Sequence, residues 1–277
     1  MQRQPVVANR FYPGSRRELA AVLQDLFPTY ALTDKPSLVM VPHAGYIFSA
    51  ATAAEALAGL RLPKTVVILC PNHTGMGTSP FGVWPEGEWL TPLGSVPVDA
   101  KMADALCAAD VFSKDESAHM QEHSIEVVLP FLQYMAGGDV PQIVPICVST
   151  QNPAYISLAA SVLAKVAGNG LRDGSILLIA SSDMNHYEDE ETTQIKDKRA
   201  LECVLAQDAD ELLARCRAEH ITMCGAAPMA LALKTLAIVR GDKAPSRPAR
   251  LTGHTTSGRA AHDYEHVVGY AGVRVYL

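Results

Sequence analysis

Nine histidines are spread along the chain, and several stand where a metal ion or an acid–base reaction could use them. His43 follows the run LVMVP, His73 follows VVILCP with one intervening asparagine, and Asp183 and His186 come after LLIASS. Each run is short, apolar and strand-like, so these polar groups fall just past the ends of three strands. Gly45 and Gly75 each follow a histidine by two residues, which lets the backbone turn tightly and approach a bound group. Imidazole suits zinc, iron, copper and nickel, and two histidines with one further ligand leave coordination positions open for a substrate. The other reading of each strand-end histidine is a hydrogen-bonding, non-ligating residue. Cys224, in Thr222-Met223-Cys224-Gly225, is the candidate third ligand. It lies just ahead of a helix that Pro228 helps to start, where the helix dipole is expected to lower its pKa. An inert, half-buried cysteine is the alternative there.

A second group of chemistry-bearing residues is Gln121-Glu122-His123-Ser124-Ile125-Glu126. The pattern predicts a helix over roughly 123–135, with His123 and Glu126 one turn apart on one face. In its plainest form this is a polar first turn whose carboxylates complement the dipole. His119-Met120-Gln121-Glu122-His123 also matches the inverted zinc-protease pattern HxxEH, in which two histidines bind zinc from one helix and the glutamate activates water. That motif needs a distal acidic ligand, and ETTQIKDKRALE offers only generic acids. His220, His254, His262 and His266 carry structural or surface roles. There is no G-x-S-x-G elbow, dinucleotide fingerprint or Walker A loop.

The elements that must position these residues can be read from periodicity. Ser15 and Glu18 form a capping box ahead of Leu19, Val22, Leu23 and Leu26. The runs SLVMVP, TVVILCP, QIVPICVS and SILLIASS are continuous apolar strands, and VVGYAGVRVYL closes the chain as another. Helices are predicted near 49–60, 123–135 and 155–167, from Asp208, and from Pro228 towards Val239. GDKAPSRPAR is a loop by composition. Alternating buried strands and helices indicate an α/β fold: a three-layer sandwich with a central, largely parallel or mixed sheet flanked by helices. Open sheets of this kind bind ligands beyond the carboxyl ends of their strands.

Composition sets the frame. The 277 residues are 48% hydrophobic and 19% charged, with a net charge of −6. The chain is long enough to bury a core without staples and is read as one domain spanning 1–277. The lack of a basic surplus argues against nucleic acid or an anionic membrane as a partner. None of the six cysteines forms a CxxC pair, and Cys70 and Cys147 sit in apolar runs as buried hydrophobes. The N-terminus lacks the apolar core of a signal peptide, and the uncharged stretch at 37–54 is broken by Pro42, His43 and Gly45. A cytoplasmic protein is expected.

Taken as an ordered set, HAGY at 43–46, PNHTG at 71–75, EHSIEVVLPFLQ at 122–133, SSDMNHY at 181–187 and MCGAAP at 223–228 resemble the Memo family. The N-terminal FYP and the terminal GYAGV belong to the same set, and the resemblance spans nearly the whole chain. Microbial members are called AmmeMemoRadiSam system protein B, and the family is similar to class III extradiol dioxygenases. The resemblance implies a mononuclear metal site in a dioxygenase-like cleft. It would be ligated by His43, His73 and Cys224, with His123, Asp183 and His186 lining the cleft as acid–base or orienting groups. Cys224 stands where the dioxygenases use a glutamate, and a thiolate shifts metal preference. Iron or copper is the implied metal, with zinc as an alternative. The implied functions are a metal-dependent redox enzyme acting on an unidentified small molecule, or a non-catalytic metal- or peptide-binding adaptor. AMMECR-type and radical SAM proteins are the implied partners.

Overall fold

The computed structural model describes residues 1–27 and 34–277. In chain order the strands are β1 (Gln2–Arg3), β2 (Leu38–Val41), β3 (Thr65–Pro71), β4 (Phe81–Val83), β5 (Glu88–Thr91), β6 (Gly94–Pro97), β7 (Ser113–Lys114), β8 (Gln142–Val148), β9 (Ile176–Ser181), β10 (His186–Glu188), β11 (Arg250–Thr256) and β12 (Val267–Val275). The helices are α1 (Arg16–Leu26), α2 (Tyr46–Leu57), α3 (Ala100–Cys107), α4 (Ser117–Met120), α5 (Leu129–Ala136), α6 (Pro153–Asp173), α7 (Glu190–Ala206), α8 (Ala209–Ala218), α9 (Ala226–Arg240) and α10 (Gly258–Ala261).

The four continuous apolar runs become four adjacent parallel strands in the order β2-β9-β3-β8. Strand β9 therefore lies between β2 and β3, with Met40 opposite Ala180 on one side and Leu69 opposite Ala180 on the other. Antiparallel strands finish the sheet: β12 beside β2 and β4 beside β8. The α/β sandwich with a mixed sheet expected from the sequence is the observed architecture. Side chains alternate between its two faces. Leu38 and Met40 pack towards α3, α6, α7, α8 and α9, while Val39 and Val41 pack towards α1, α2 and α5. A strand buried on both faces has no polar side to declare, which is why these runs are apolar without alternation.

Local signals hold where side chains close the helix ends. Ser15 accepts from the Glu18 backbone N–H, and Asp208 caps α8 through Glu211. Helix α6 is the one helix among the described residues long and apolar enough to cross a membrane. It packs against α9 and β9 with Ile156, Ala160 and Leu163 fully buried, as a core helix does.

The predicted helix over 123–135 begins only at Leu129. Residues 124–128 form tight turns instead, closed by Val128 N–H to the Ile125 carbonyl and Leu129 N–H to the Glu126 carbonyl. Pro130 supplies no N–H to continue a helix backwards, and the Glu122 carboxylate captures the Ser124 N–H. The helix predicted over 49–60 starts three residues early, at Tyr46. A small sheet of β1, β5 and β6 was not anticipated; its strands run two to four residues, too few to establish a period. His254, in the turn-rich stretch TGHTTSG that sequence alone reads as a loop, lies in β11, where its Nε2 meets the buried Asp197 carboxylate at 2.8 Å.

A candidate metal cleft at the strand ends

Because β2, β9 and β3 are parallel neighbours, their carboxyl ends bring His43, Asp183 and His73 together from 140 residues of chain. Cys224 arrives from another direction. It precedes Gly225, the residue before α9, whose N–H donates to Ser182 Oγ at 3.1 Å. A Cβ on Gly225 would sit 2.3 Å from Ser182 Cβ, so only glycine lets α9 start against the end of β9. All six sequence-predicted residues (His43, His73, His123, Asp183, His186 and Cys224) line one cleft of about 730 Å³. The same cleft takes in Arg10, Phe11, Phe48 and Tyr187, which sequence reasoning did not single out.

The imidazoles are held by partners on their far sides. His43 Nδ1 lies 2.8 Å from Ser181 Oγ, and that hydroxyl donates its own proton to the Ser124 carbonyl. Ser181 must therefore accept from His43 Nδ1–H, which leaves a lone pair on Nε2. His73 Nδ1 faces Glu122 Oε1 at 3.0 Å, while the His73 backbone N–H donates to Glu122 Oε2 at 2.6 Å. His186 Nδ1 donates to the Thr222 carbonyl at 3.0 Å. In all three rings Nε2 is the available nitrogen. Such fixing of tautomer by an outer partner is what ligating histidines require. Asp183 does not hold the His43 ring; it accepts the His43 backbone N–H at 2.8 Å, and its other oxygen is 4.0 Å from Nε2.

His43, His73 and His123 offer ring nitrogens that all lie within 4.8 Å of one another, a group that could hold a metal ion. Cys224 Sγ is 3.4 Å from His43 Nε2. An ion bound tetrahedrally to nitrogen and thiolate at ordinary lengths sets those two atoms about 3.5 Å apart, so the donor set fits. Exposure rises from 2% for the His43 side chain to 21% for His123 and 33% for His73, so the group opens to solvent on the His73 side.

Electrostatics suit ligation as well. Burial pushes His43 well below its ordinary pKa, helped by the neighbouring His123 and His73, and burial also lowers His123 and His186. Burial opposes the charged form of His73 too, but its hydrogen bond to Glu122 prevails and raises it. Glu122 is buried, yet bonds from His73 and Ser124 hold it far below the carboxylate range. Asp183 moves the other way: burial lifts it to about 7, against its backbone bonds from His43 and Ala44. The expected dipole-lowered Cys224 thiol is not found. Burial, then the nearby Asp183 charge, pushes the thiol up, because the sulfur lies against Asp183 and the His43 ring.

The HxxEH reading fails on geometry. Helix α4 ends at Met120, so His119 and His123 do not share a helix. His119 is fully buried, donates from Nε2 to the Gly82 carbonyl at 2.9 Å and packs edge-on against Trp84 and Trp89. Glu122 spends both oxygens on His73 and Ser124. Glu126, read as dipole complement, instead anchors the N-terminal segment. It accepts from the Val6 and Val7 N–H groups, Tyr12 OH and the Arg3 guanidinium. No sequence signal marks Ser181 or Glu126 for these duties, since their partners are more than fifty residues away.

Comparison with known proteins adds a separate line. The sequence pattern described as Memo-like protein matches residues 3–274. A "MEMO1 family protein" of Thermotoga petrophila is 39% identical over 98% of both chains, and one of Sulfurisphaera tokodaii is 38% identical over 99% of both. In three dimensions the chain is similar to an uncharacterized protein of Escherichia coli K12. The TM-score is 0.53 at 12% identity, covering 86% of this chain and 98% of that one, a likeness of fold alone.

Proposed function

The chain belongs to the Memo family, and from that premise we propose that its cleft is a mononuclear metal site serving a redox reaction on a small molecule. The observation that carries this reading is the convergence of His43, His73 and His123 within 4.8 Å. The Nε2 atoms of His43 and His73 and a ring nitrogen of His123, with Cys224 Sγ beside His43, would hold the ion. Three imidazoles and one sulfur suit iron or copper, with zinc as the alternative. When bound, such an ion supplies Lewis acidity and, as iron or copper, one-electron exchange.

The remaining residues manage protons and water. Asp183, whose Oδ2 lies 4.0 Å from His43 Nε2, can take or return a proton at that oxygen. His186, with Nδ1–H spent on Thr222, offers Nε2 as a base in the same cleft. Phe11, edge-on to His123 at 4.9 Å between ring centroids, shields the imidazoles from bulk water.

The test is metal content after anaerobic purification of wild type, His43→Ala, His73→Ala, His123→Ala and Cys224→Ser. One ion per wild-type chain is expected. The three alanine variants lose it, and Cys224→Ser retains a weakened site with an altered absorption spectrum. Equal metal in all five proteins overturns the proposal, as does an empty wild type after reconstitution with iron, copper and zinc.

A further inference from the structure

The imidazoles, Asp183 and Cys224 account for part of the cleft lining; the rest is chemically different. There the lining is Phe11, Phe48, Tyr187 and Val268, with Arg10 as the one lysine or arginine among the lining residues. Arg10 is exposed, and its guanidinium has no hydrogen-bond or ion-pair partner among the described residues. Its backbone is nonetheless fixed. Arg10 N–H bonds to the Val7 carbonyl at 3.0 Å, the preceding Asn9 adopts a left-handed φ of 64°, and the Phe11 carbonyl accepts from Tyr46 N–H at 2.7 Å. The turn is pinned beneath by Glu126, which binds Val6, Val7 and Tyr12. Arg10 is thus a flexible side chain on a rigid mount at the rim.

Tyr187, also in that lining, is placed with equal specificity. The pairing of β10 with β12 shifts register between His186 and Glu188, and Tyr187 in the bulge takes φ of 61°. A left-handed tyrosine is a costly conformation, and a bulge of this kind re-aims a side chain. Here it turns Tyr187 outwards, 73% exposed and tilted against His186 at 5.6 Å.

We propose that this part of the lining selects a small aromatic monocarboxylate, its carboxylate on the Arg10 guanidinium and its ring against Phe11, Phe48 and Tyr187. The inference deepens the metal-cleft reading by naming its substrate class, with Arg10 as the specificity-determining residue. A guanidinium matches a carboxylate through two parallel hydrogen bonds. Arg10, as the one lysine or arginine in a lining that also carries Asp183, suits a monoanion better than a dianion. Aromatic walls favour a flat partner over a puckered ring of the same volume.

Isothermal titration of the full chain, metal-free and metal-loaded, uses three probes: 2-naphthoate, its neutral twin 2-naphthalenemethanol, and decalin-2-carboxylate as the non-planar acid. Wild type is expected to prefer 2-naphthoate over each of the other two by about ten-fold. Arg10→Ala removes the preference over the neutral twin, and Arg10→Lys keeps part of it. Phe11→Leu erodes the preference for the flat ring. The melting temperature of Arg10→Ala stays at the wild-type value, because Arg10 is exposed and its guanidinium makes no hydrogen bond or ion pair among the described residues. An acid preference that is absent from wild type, or that survives Arg10→Ala, overturns the inference. Metal content of the same samples separates the two readings. An Arg10-dependent preference in a chain that binds no metal removes the metal site alone; a metal-loaded chain without that preference removes the substrate class alone.

Discussion

Ser181 and Glu122 do not line the cleft, yet they decide which nitrogen its imidazoles offer. Without Ser181, the His43 ring loses the acceptor for Nδ1–H and can turn or change tautomer. Partners of this kind are worth roughly 10–100-fold in metal affinity. Ser181→Ala should therefore weaken metal retention by that factor in competition with a chelator, while the cleft residues keep their places. An unchanged affinity would mean that the β9 backbone alone positions His43. The candidate ligands were legible from sequence because imidazole and thiol at strand ends are uncommon and chemically explicit. A serine that orients a histidine 138 residues away carries no such mark. Arg10 was equally silent, since a lone arginine beside an aromatic residue describes many surface turns.

The site also depends on how elements meet. Helix α9 begins in contact with the end of β9, and Gly225 is the residue that permits it. Gly225→Ala forces a Cβ onto Ser182, and overpacking of this type costs about 1–3 kcal/mol. Denaturant unfolding should register that loss. Because Cys224 moves with the helix end, the absorption of the metal-loaded protein should change as well, which a merely destabilised core would not produce. The parallel strands and long helices were predictable because burial on two faces and a 3.6-residue period leave strong patterns over many residues. The turns at 124–128 were not. Their conformation is set by Glu122 and Glu126 bonding to distant backbone and side chains, so the one helical bond there, from Val127 N–H to the His123 carbonyl, is not continued.

At the scale of the molecule, one carboxylate joins the last strand to the residues that lead into β2. Asp34 receives Arg274 Nη1, Arg247 Nη2 and Tyr276 OH at 2.7–2.8 Å. Burial works to raise its pKa, but these bonds prevail and lower it from 3.8 to about 2. A depressed carboxyl stabilises the fold above its unfolded value and loses that contribution as pH falls through the folded one. The gain is about 2 kcal/mol. Asp34→Asn should cost that much in urea unfolding at pH 7, with the gap to wild type closing between pH 4 and pH 2. The strand order β2-β9-β3-β8 has a further consequence, in time. A growing chain emits β2 and β3 early, but the strand that separates them leaves the ribosome about a hundred residues later, and until then no native sheet can close. Pairings of such long range form slowly. Residues 43, 73 and 123 are therefore synthesised well before Ser181 and Cys224 arrive to complete their surroundings. An ion held by these residues would therefore meet its complete set of partners only once Cys224 has been synthesised, and not on the first half of the chain.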